Sequence, residues 1–285
     1  MPDPTKIQEA GDAPQPVGAE VTVALFGTTE DPVVRERRGH VELVRLNRER
    51  ARNAIDAATA RALRATFDEL TEDPDVWAAV LTGTGDRAFC AGMDLKAFVS
   101  GDLDEILSGK GGFAGMAARQ FPKPLIAAVN GAAVAGGFEM VLACDLVVAA
   151  EHALFGLPEV KRGLAATGGG LIRLAKRIPP AIALEMALTG ESIDAQRAFA
   201  YGLVNRVVPL ERLIDEAFEL AELICANAPL AVIGSKELMK RSLDLSEEQA
   251  WELSNKLTAR IMTSSDAIEG AVAFAEKRPP VWTGG

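Results

Sequence analysis

Two glutamates are the side chains best placed to do chemistry in this chain. Glu139 ends the run Ala132-Ala133-Val134-Ala135-Gly136-Gly137-Phe138-Glu139, and Glu159 ends Phe155-Gly156-Leu157-Pro158-Glu159. In each, a short apolar stretch leads into backbone able to bend sharply and then into a carboxylate. Two carboxylates facing one pocket can divide acid–base work, because burial and mutual repulsion push their proton affinities apart. Taken singly, each has a plainer reading. A glutamate in a first helical turn suits the helix dipole alone, and Pro-Glu is an ordinary surface turn. To make a site of them, the chain must also supply a pocket, donors that activate an electrophile, and a handle for the substrate.

Backbone donors are suggested by two segments, Phe89-Cys90-Ala91-Gly92-Met93-Asp94-Leu95 and the stretch from Val129-Asn130-Gly131 to Glu139. Both place small residues just before backbone expected to turn helical. Such a turn can leave an N–H without a partner and aimed at a ligand oxygen, and two that converge form an oxyanion hole. Either segment alone also reads as a tight turn. Thr82-Gly83-Thr84-Gly85 is followed by no glycine before Gly92, so it does not complete a dinucleotide fingerprint, and no P-loop lysine follows it. Gly168-Gly169-Gly170 either cradles a phosphate at a helix start or lets a helix pack closely on a sheet or a neighbouring subunit.

Several elements are expected to position these groups. Residues 41–46 alternate as a half-buried strand, and Asp56 caps a helix whose apolar face carries Leu63, Phe67 and Leu70. Apolar strands are expected over 78–82, 125–129 and 146–149, with a short one around Leu154 and another over 21–26. Helices are expected from about Gly136, after Gly170, and over 181–188, where Gly190 closes the helix. Beyond Asn205 the pattern is wholly helical. This arrangement is an α/β core with an α-helical C-terminal subdomain. It divides the chain into a proline-rich leader (1–32, poorly ordered or accessory), a core (33–205), and a helical region (206–285) for oligomerisation and active-site cover.

Composition narrows the function. A chain of 285 residues with 48% hydrophobic content fills one large α/β domain with an appendage, and its apolar runs are too short or interrupted to span a bilayer. The net charge of −10 argues against a generic nucleic-acid binder. Cys90, Cys144 and Cys225 are widely spaced in apolar surroundings, which reads as free thiols in a reducing compartment; with no signal peptide visible, that compartment is the cytoplasm. His40 and His152 are the only histidines. Both read as surface or strand-edge residues, so chemistry built on several histidines is excluded.

Together and in this order, the segments resemble the enoyl-CoA hydratase/isomerase (crotonase) superfamily. The resemblance runs from about Val33 to the C-terminus. It is carried by Leu46-Asn47-Arg48 with Arg52-Asn53-Ala54, the Phe89 to Leu95 segment, and Asn130-Gly131 to Glu139 with Ala143-Cys144-Asp145. Phe155 to Glu159 with Gly163, and Phe274-Ala275-Glu276-Lys277-Arg278-Pro279-Pro280, complete it. It implies a spiral of ββα repeats assembled as a homotrimer or dimer of trimers, with no metal and no cofactor beyond the coenzyme A of the substrate. It implies that the amides of Met93 and Gly136 hold the thioester oxygen. Coenzyme A and substrate would lie along Arg52, Ala54, Ala91, Gly92, Asp94, Leu95, Lys96 and Pro158, with Phe274 and Lys277 closing over them.

Retention of both Glu139 and Glu159 implies a hydratase. The reaction is reversible syn addition of water to a trans-2-enoyl-CoA, giving a 3-hydroxyacyl-CoA. Glu139 takes the proton of water and Glu159 delivers one to Cα, and the pair titrates as a unit. Three alternatives stay open: a specialised hydroxyacyl-CoA (carnitinyl-CoA-like) dehydratase, an isomerase using Glu159, and a non-catalytic acyl-CoA-binding trimer. Residues 98–121, rich in glycine with little pattern, are expected to form a mobile flap that shapes the acyl pocket.

Overall fold

The computed structural model describes residues 23–26, 30–101 and 103–285. In chain order its strands are β1 (Val23–Phe26), β2 (Val33–Arg38), β3 (Val41–Leu46), β4 (Ala78–Gly83), β5 (Ala88–Cys90) and β6 (Leu125–Val129), then β7 (Ala132–Val134), β8 (Leu146–Ala150), β9 (Leu154–Gly156), β10 (Ile193–Asp194) and β11 (Arg206–Val208). They form a seven-stranded sheet in the order β1-β2-β3-β4-β6-β8-β11 and a four-stranded sheet in the order β10-β9-β7-β5. The first three strands of the large sheet are antiparallel, and the rest run parallel.

The unbroken apolar runs of β4 and β6 are fully buried, as parallel strands covered on both faces must be. Alternate residues choose the face. Val41, Leu43, Ala78, Val80, Ile126 and Ala128 meet Leu213, Ala217, Phe218 and Ala221 of the helix Leu213–Cys225. Val44, Leu46, Ala79, Leu81, Ala127 and Val129 join the larger core with Leu63, Phe67 and Leu70 of the helix Ala57–Glu72. That helix begins where the sequence indicates: the Asp56 carboxylate accepts the N–H of Thr59 at 2.8 Å.

The expectation of a purely helical chain beyond Asn205 needs correction. β11 pairs in parallel with β8, and the helix Leu213–Cys225 covers one face of the large sheet. The expected boundary at 205/206 therefore falls inside the packed core. A three-residue strand is too short to display a period, which hides it in the sequence. The same reason hides β5, β7 and β10. The helices Pro229–Ser242, Glu247–Met262 and Ser265–Glu276 follow. Of the leader, β1 is seen on the edge of the large sheet, while 1–22 and 27–29 lie outside the described residues.

The segment expected as a patternless flap is docked. It contains the helices Leu95–Ser100 and Leu103–Leu107 and a 3-10 turn at Phe113–Gly115, with Ile106, Phe113, Met116 and Ala117 buried. Arg64 donates to Glu105 Oε1 at 2.6 Å and Arg119 to Asp68 at 2.7 Å, tying the segment to the helix Ala57–Glu72.

The three thiols are free. Burial pushes Cys90 and Cys144 up to about 12, where they are unreactive near neutral pH. Both histidines are exposed: His40 stacks on Trp77 with ring centroids 3.7 Å apart, and His152 Nε2 donates to the Asp86 carbonyl at 2.8 Å.

Candidate active site

The small sheet gathers the site. β5, β7 and β9 are parallel neighbours, with Ala88 opposite Ala132 and Ala132 opposite Leu154. Their carboxyl ends therefore lie side by side, as at the ligand crevices of open parallel sheets. Met93 follows the end of β5, Gly136 the end of β7, and Glu159 the end of β9. The three sequence segments with chemical promise thus prove to be three strand-to-turn units of one sheet. Asn53 and Asn130 clamp β5 in this arrangement, their amides donating to the Ala88 carbonyl at 2.8 and 3.2 Å.

Two backbone N–H groups stand at these ends with no partner among the described residues. Gly136 opens the helix Gly136–Ala143, so its N–H has no intrahelical acceptor. The preceding Ala135 is held at φ +52°, ψ −132°, a left-sided conformation that costs a non-glycine residue about 1–3 kcal/mol. Its own N–H donates to Gly156 of β9 at 3.0 Å, and its carbonyl accepts the N–H groups of Phe138 and Glu139. This bonding holds the strained turn and leaves the next amide without a partner among the described residues.

The Met93 amide is freed differently. Met93 bridges in parallel to Ile55, but the bonds run from Ile55 N–H to the Gly92 carbonyl and from Asp94 N–H to the Ile55 carbonyl, each 2.8 Å. In such a bridge the intervening residue turns its own N–H to the opposite side. Gly92, at φ +89°, brings the two loops together. A methyl group there would lie 2.9 Å from the Ala135 side chain and 3.1 Å from the Gly136 nitrogen, so only glycine fits. A side chain at Gly137 would likewise run into the Cys90 carbonyl.

Glu139 is 4% exposed. Burial raises its proton affinity above the ordinary carboxylate range, opposed by hydrogen bonds from the backbone of Gly170 and Gly168 and by the charge of Arg173. The Gly170 N–H reaches Glu139 Oε1 at 2.9 Å. The glycine triplet left ambiguous by its sequence is thus an anion cradle, filled by the chain's own carboxylate and not by a phosphate. A methyl group at Gly168 would fall 2.5 Å from Glu139 Oε2. Sequence reasoning missed this role and that of Arg173. Three consecutive glycines twenty-nine residues after Glu139 were the only signal.

Glu159 lies in the 3-10 turn Pro158–Arg162. Its Oε2 is buried and accepts no hydrogen bond among the described residues. Burial pushes the group up to about 7, and the charge of Glu139 adds to the rise. Its surroundings are apolar: a cavity of about 340 Å³ opens beside it, walled by Leu157, Val160, Ala166, Leu171 and Leu174 among others. The two carboxylates are thus electrostatically coupled, one cradled by donors and the other half-buried with one oxygen unpartnered among the described residues.

The remaining expected contacts are placed unevenly. Arg52 and Asn53 sit in the left-handed region (both φ +54°), and the Ala54 carbonyl accepts from Arg48. Ala91, Gly92 and Asp94 border the Met93 turn, where Asp94 caps the following helix through Lys96 N–H at 3.0 Å. Leu95 and Lys96 are exposed beside it, and Pro158 opens the Glu159 turn. Phe274, 87% exposed, and Lys277, at φ +55°, lie at the outer end of the last helix. Within one chain they are not brought against the coenzyme segments.

Known proteins resemble this chain over most of its length. The profile of the enoyl-CoA hydratase/isomerase family matches residues 36–285. A carnitinyl-CoA dehydratase of Proteus mirabilis is 44% identical over 252 residues, covering 87% of this chain and 96% of that protein. Among solved structures, an enoyl-CoA hydratase from Mycobacterium marinum superposes with a TM-score of 0.86 at 48% identity, covering 90% of this chain and all of that one. A carnitinyl-CoA hydratase from Mycobacterium avium gives 0.69 at 44% identity, covering 89% and 98%. The chain belongs to the enoyl-CoA hydratase/isomerase family.

Proposed function

We propose that this protein is an enoyl-CoA hydratase that adds water reversibly across the double bond of a trans-2-enoyl-CoA. The observation that carries the reading is the coupled pair: Glu139 held by two backbone donors, and Glu159 with one buried oxygen unpartnered among the described residues and its proton affinity pushed up by burial to about 7. The Met93 and Gly136 N–H groups donate to the thioester carbonyl oxygen and stabilise the enolate as it forms, a contribution of roughly 3 to 4 kcal/mol per donor. Glu139 orients a water and takes its proton as the oxygen bonds to Cβ. Glu159 gives its proton to Cα, and the carbonyl re-forms. Dehydration retraces the same steps. No cofactor is needed beyond the coenzyme A of the substrate, which lies along Arg52, Ala54 and Ala91 to Lys96.

Dehydration of a carnitinyl thioester, suggested by the names of relatives, is the second reading. The cavity beside Glu159 is walled mostly by Leu, Ala and Val side chains, which suit an uncharged acyl chain. A homotrimeric assembly would let the exposed Phe274 and Lys277 reach a neighbour's coenzyme A. Among the described residues no single helix is long and apolar enough to cross a membrane, in keeping with a cytoplasmic enzyme.

The test is loss of the conjugated enoyl-thioester absorbance with trans-2-enoyl-CoAs of graded length, beside one bearing a trimethylammonium group. Faster hydration of the plain chains supports the proposal. Turnover confined to the charged substrate establishes the second reading.

A further inference from the structure

The Arg48 guanidinium is bonded to the neighbours of Ile55 and Met93, and to neither Glu139 nor Glu159 among the contacts of the described residues. Its Nη2 lies 2.8 Å from Asp56 Oδ2 and 3.1 Å from Asp94 Oδ2, and its Nη1 donates to the Ala54 carbonyl. Ala54 and Asp56 flank Ile55, and Asp94 follows Met93. The cation therefore joins the two segments that meet at the Ile55–Met93 bridge. The Arg48 backbone is fixed in turn: its N–H donates to Asn53 Oδ1 at 3.1 Å, while Asn53 Nδ2 reaches the Ala88 carbonyl at 2.8 Å. Both ends of the loop that carries Met93 are thus tied to one half-buried arginine and its asparagine partner. The arginine is 23% exposed, enough screening from water for the ion pairs to hold their geometry.

We propose that Arg48 is a positioning residue that aims the Met93 N–H at the thioester oxygen, by locking the Asp94 carboxylate and the Ile55 segment in register. The proposal rests on the reading of Met93 as one of two oxyanion donors. A backbone donor has no side-chain rotamer to adjust, so its aim is set entirely by the peptide plane and by what holds that plane. An error of about 1 Å in such a position is worth up to roughly 100-fold in rate. A residue that only bound coenzyme A would affect the ground state and transition state alike, raising KM with kcat unchanged.

The experiment pairs steady-state hydration with the absorption spectrum of bound 4-(dimethylamino)cinnamoyl-CoA, whose band moves to the red when the thioester oxygen is polarised. In Arg48→Met the expected result is a fall in kcat of about 10- to 100-fold, little change in KM, and a reduced red shift. Arg48→Lys is expected to recover part of the red shift, and the exposed control Arg61→Met to match the wild type. Should Arg48→Met fail to fold, Asp94→Asn removes only one leg of the clamp and is expected to lose red shift in the same direction. A full red shift and unchanged kcat in the folded variant would overturn the role of Arg48 alone. Absence of any red shift in the wild type would overturn the oxyanion reading, and this proposal with it.

Discussion

Two glutamates of this chain, one wholly buried and one half-buried, meet opposite fates. Glu42, on β3 of the large sheet, is wholly buried, and both its oxygens are engaged: Arg35 Nε donates to Oε1 at 2.6 Å and Arg37 Nε to Oε2 at 2.7 Å. Those arginines continue to Glu69 and Asp73 on the neighbouring helix and its cap. Glu159, past the end of β9 in the small sheet, keeps a buried oxygen with no partner and titrates about 7. The first carboxylate is neutralised by partners and holds a sheet to a helix. The second is left unsatisfied, a state a fold tolerates only where something else completes it.

The comparison is broken most severely by removing protons from the site. Glu139→Gln or Glu159→Gln should each lower enoyl-CoA hydration about 100- to 10,000-fold while leaving thermal unfolding near that of the wild type. Glu42→Ala should do the reverse. It deprives Arg35 and Arg37 of one carboxylate partner each, leaving Glu69 and Asp73 as partners, and should cost about 3 kcal/mol in urea unfolding, with kcat unchanged under conditions where the variant stays folded. A smaller effect is expected from the cradle. Gly168→Ala puts a methyl 2.5 Å from Glu139 Oε2 and should slow hydration about 10- to 100-fold through misplacement of that carboxylate.

The mildest expected effect concerns pH. Glu159 binds its proton more tightly folded, at about 7 against an ordinary 4.5, because burial and Glu139 disfavour its charge. Its contribution to stability is therefore fully present below about 4.5 and is lost as pH rises through about 7. The wild type should lose more of its unfolding midpoint between pH 5 and pH 8 than Glu159→Gln does.

Only the Glu159 side of this contrast was legible in the sequence: residues 41–46 read as a half-buried strand, whereas Glu42 is wholly buried. Glu139 and Glu159 were singled out by the apolar run and bend that precede each carboxylate; small residues before a turn marked the two donor segments, and the family resemblance assigned Met93 and Gly136 within them. The long strands were legible from their apolar runs, and Asp56 as a cap. What stayed hidden were contacts between distant short pieces. β5, β7 and β9 are three residues each, so no period could show that they form one sheet. The partnership of Gly168 and Gly170 with Glu139 joins a loop to a helix across thirty residues. β11 was concealed for the same reason, and with it the attachment of the helix Leu213–Cys225 to the core. The docking of 98–121 depends on Arg64 and Asp68 of another helix, which a local reading cannot pair.

The central claim, that the unpartnered Glu159 is the proton donor to Cα, is tested most directly by hydrogen exchange at that carbon. A saturated acyl-CoA incubated with enzyme in heavy water, and followed by NMR, reports Cα proton transfer without any addition of water. Exchange should persist in Glu139→Gln and vanish in Glu159→Gln. Exchange that survives in Glu159→Gln and is lost in Glu139→Gln would reverse the two roles and contradict the account.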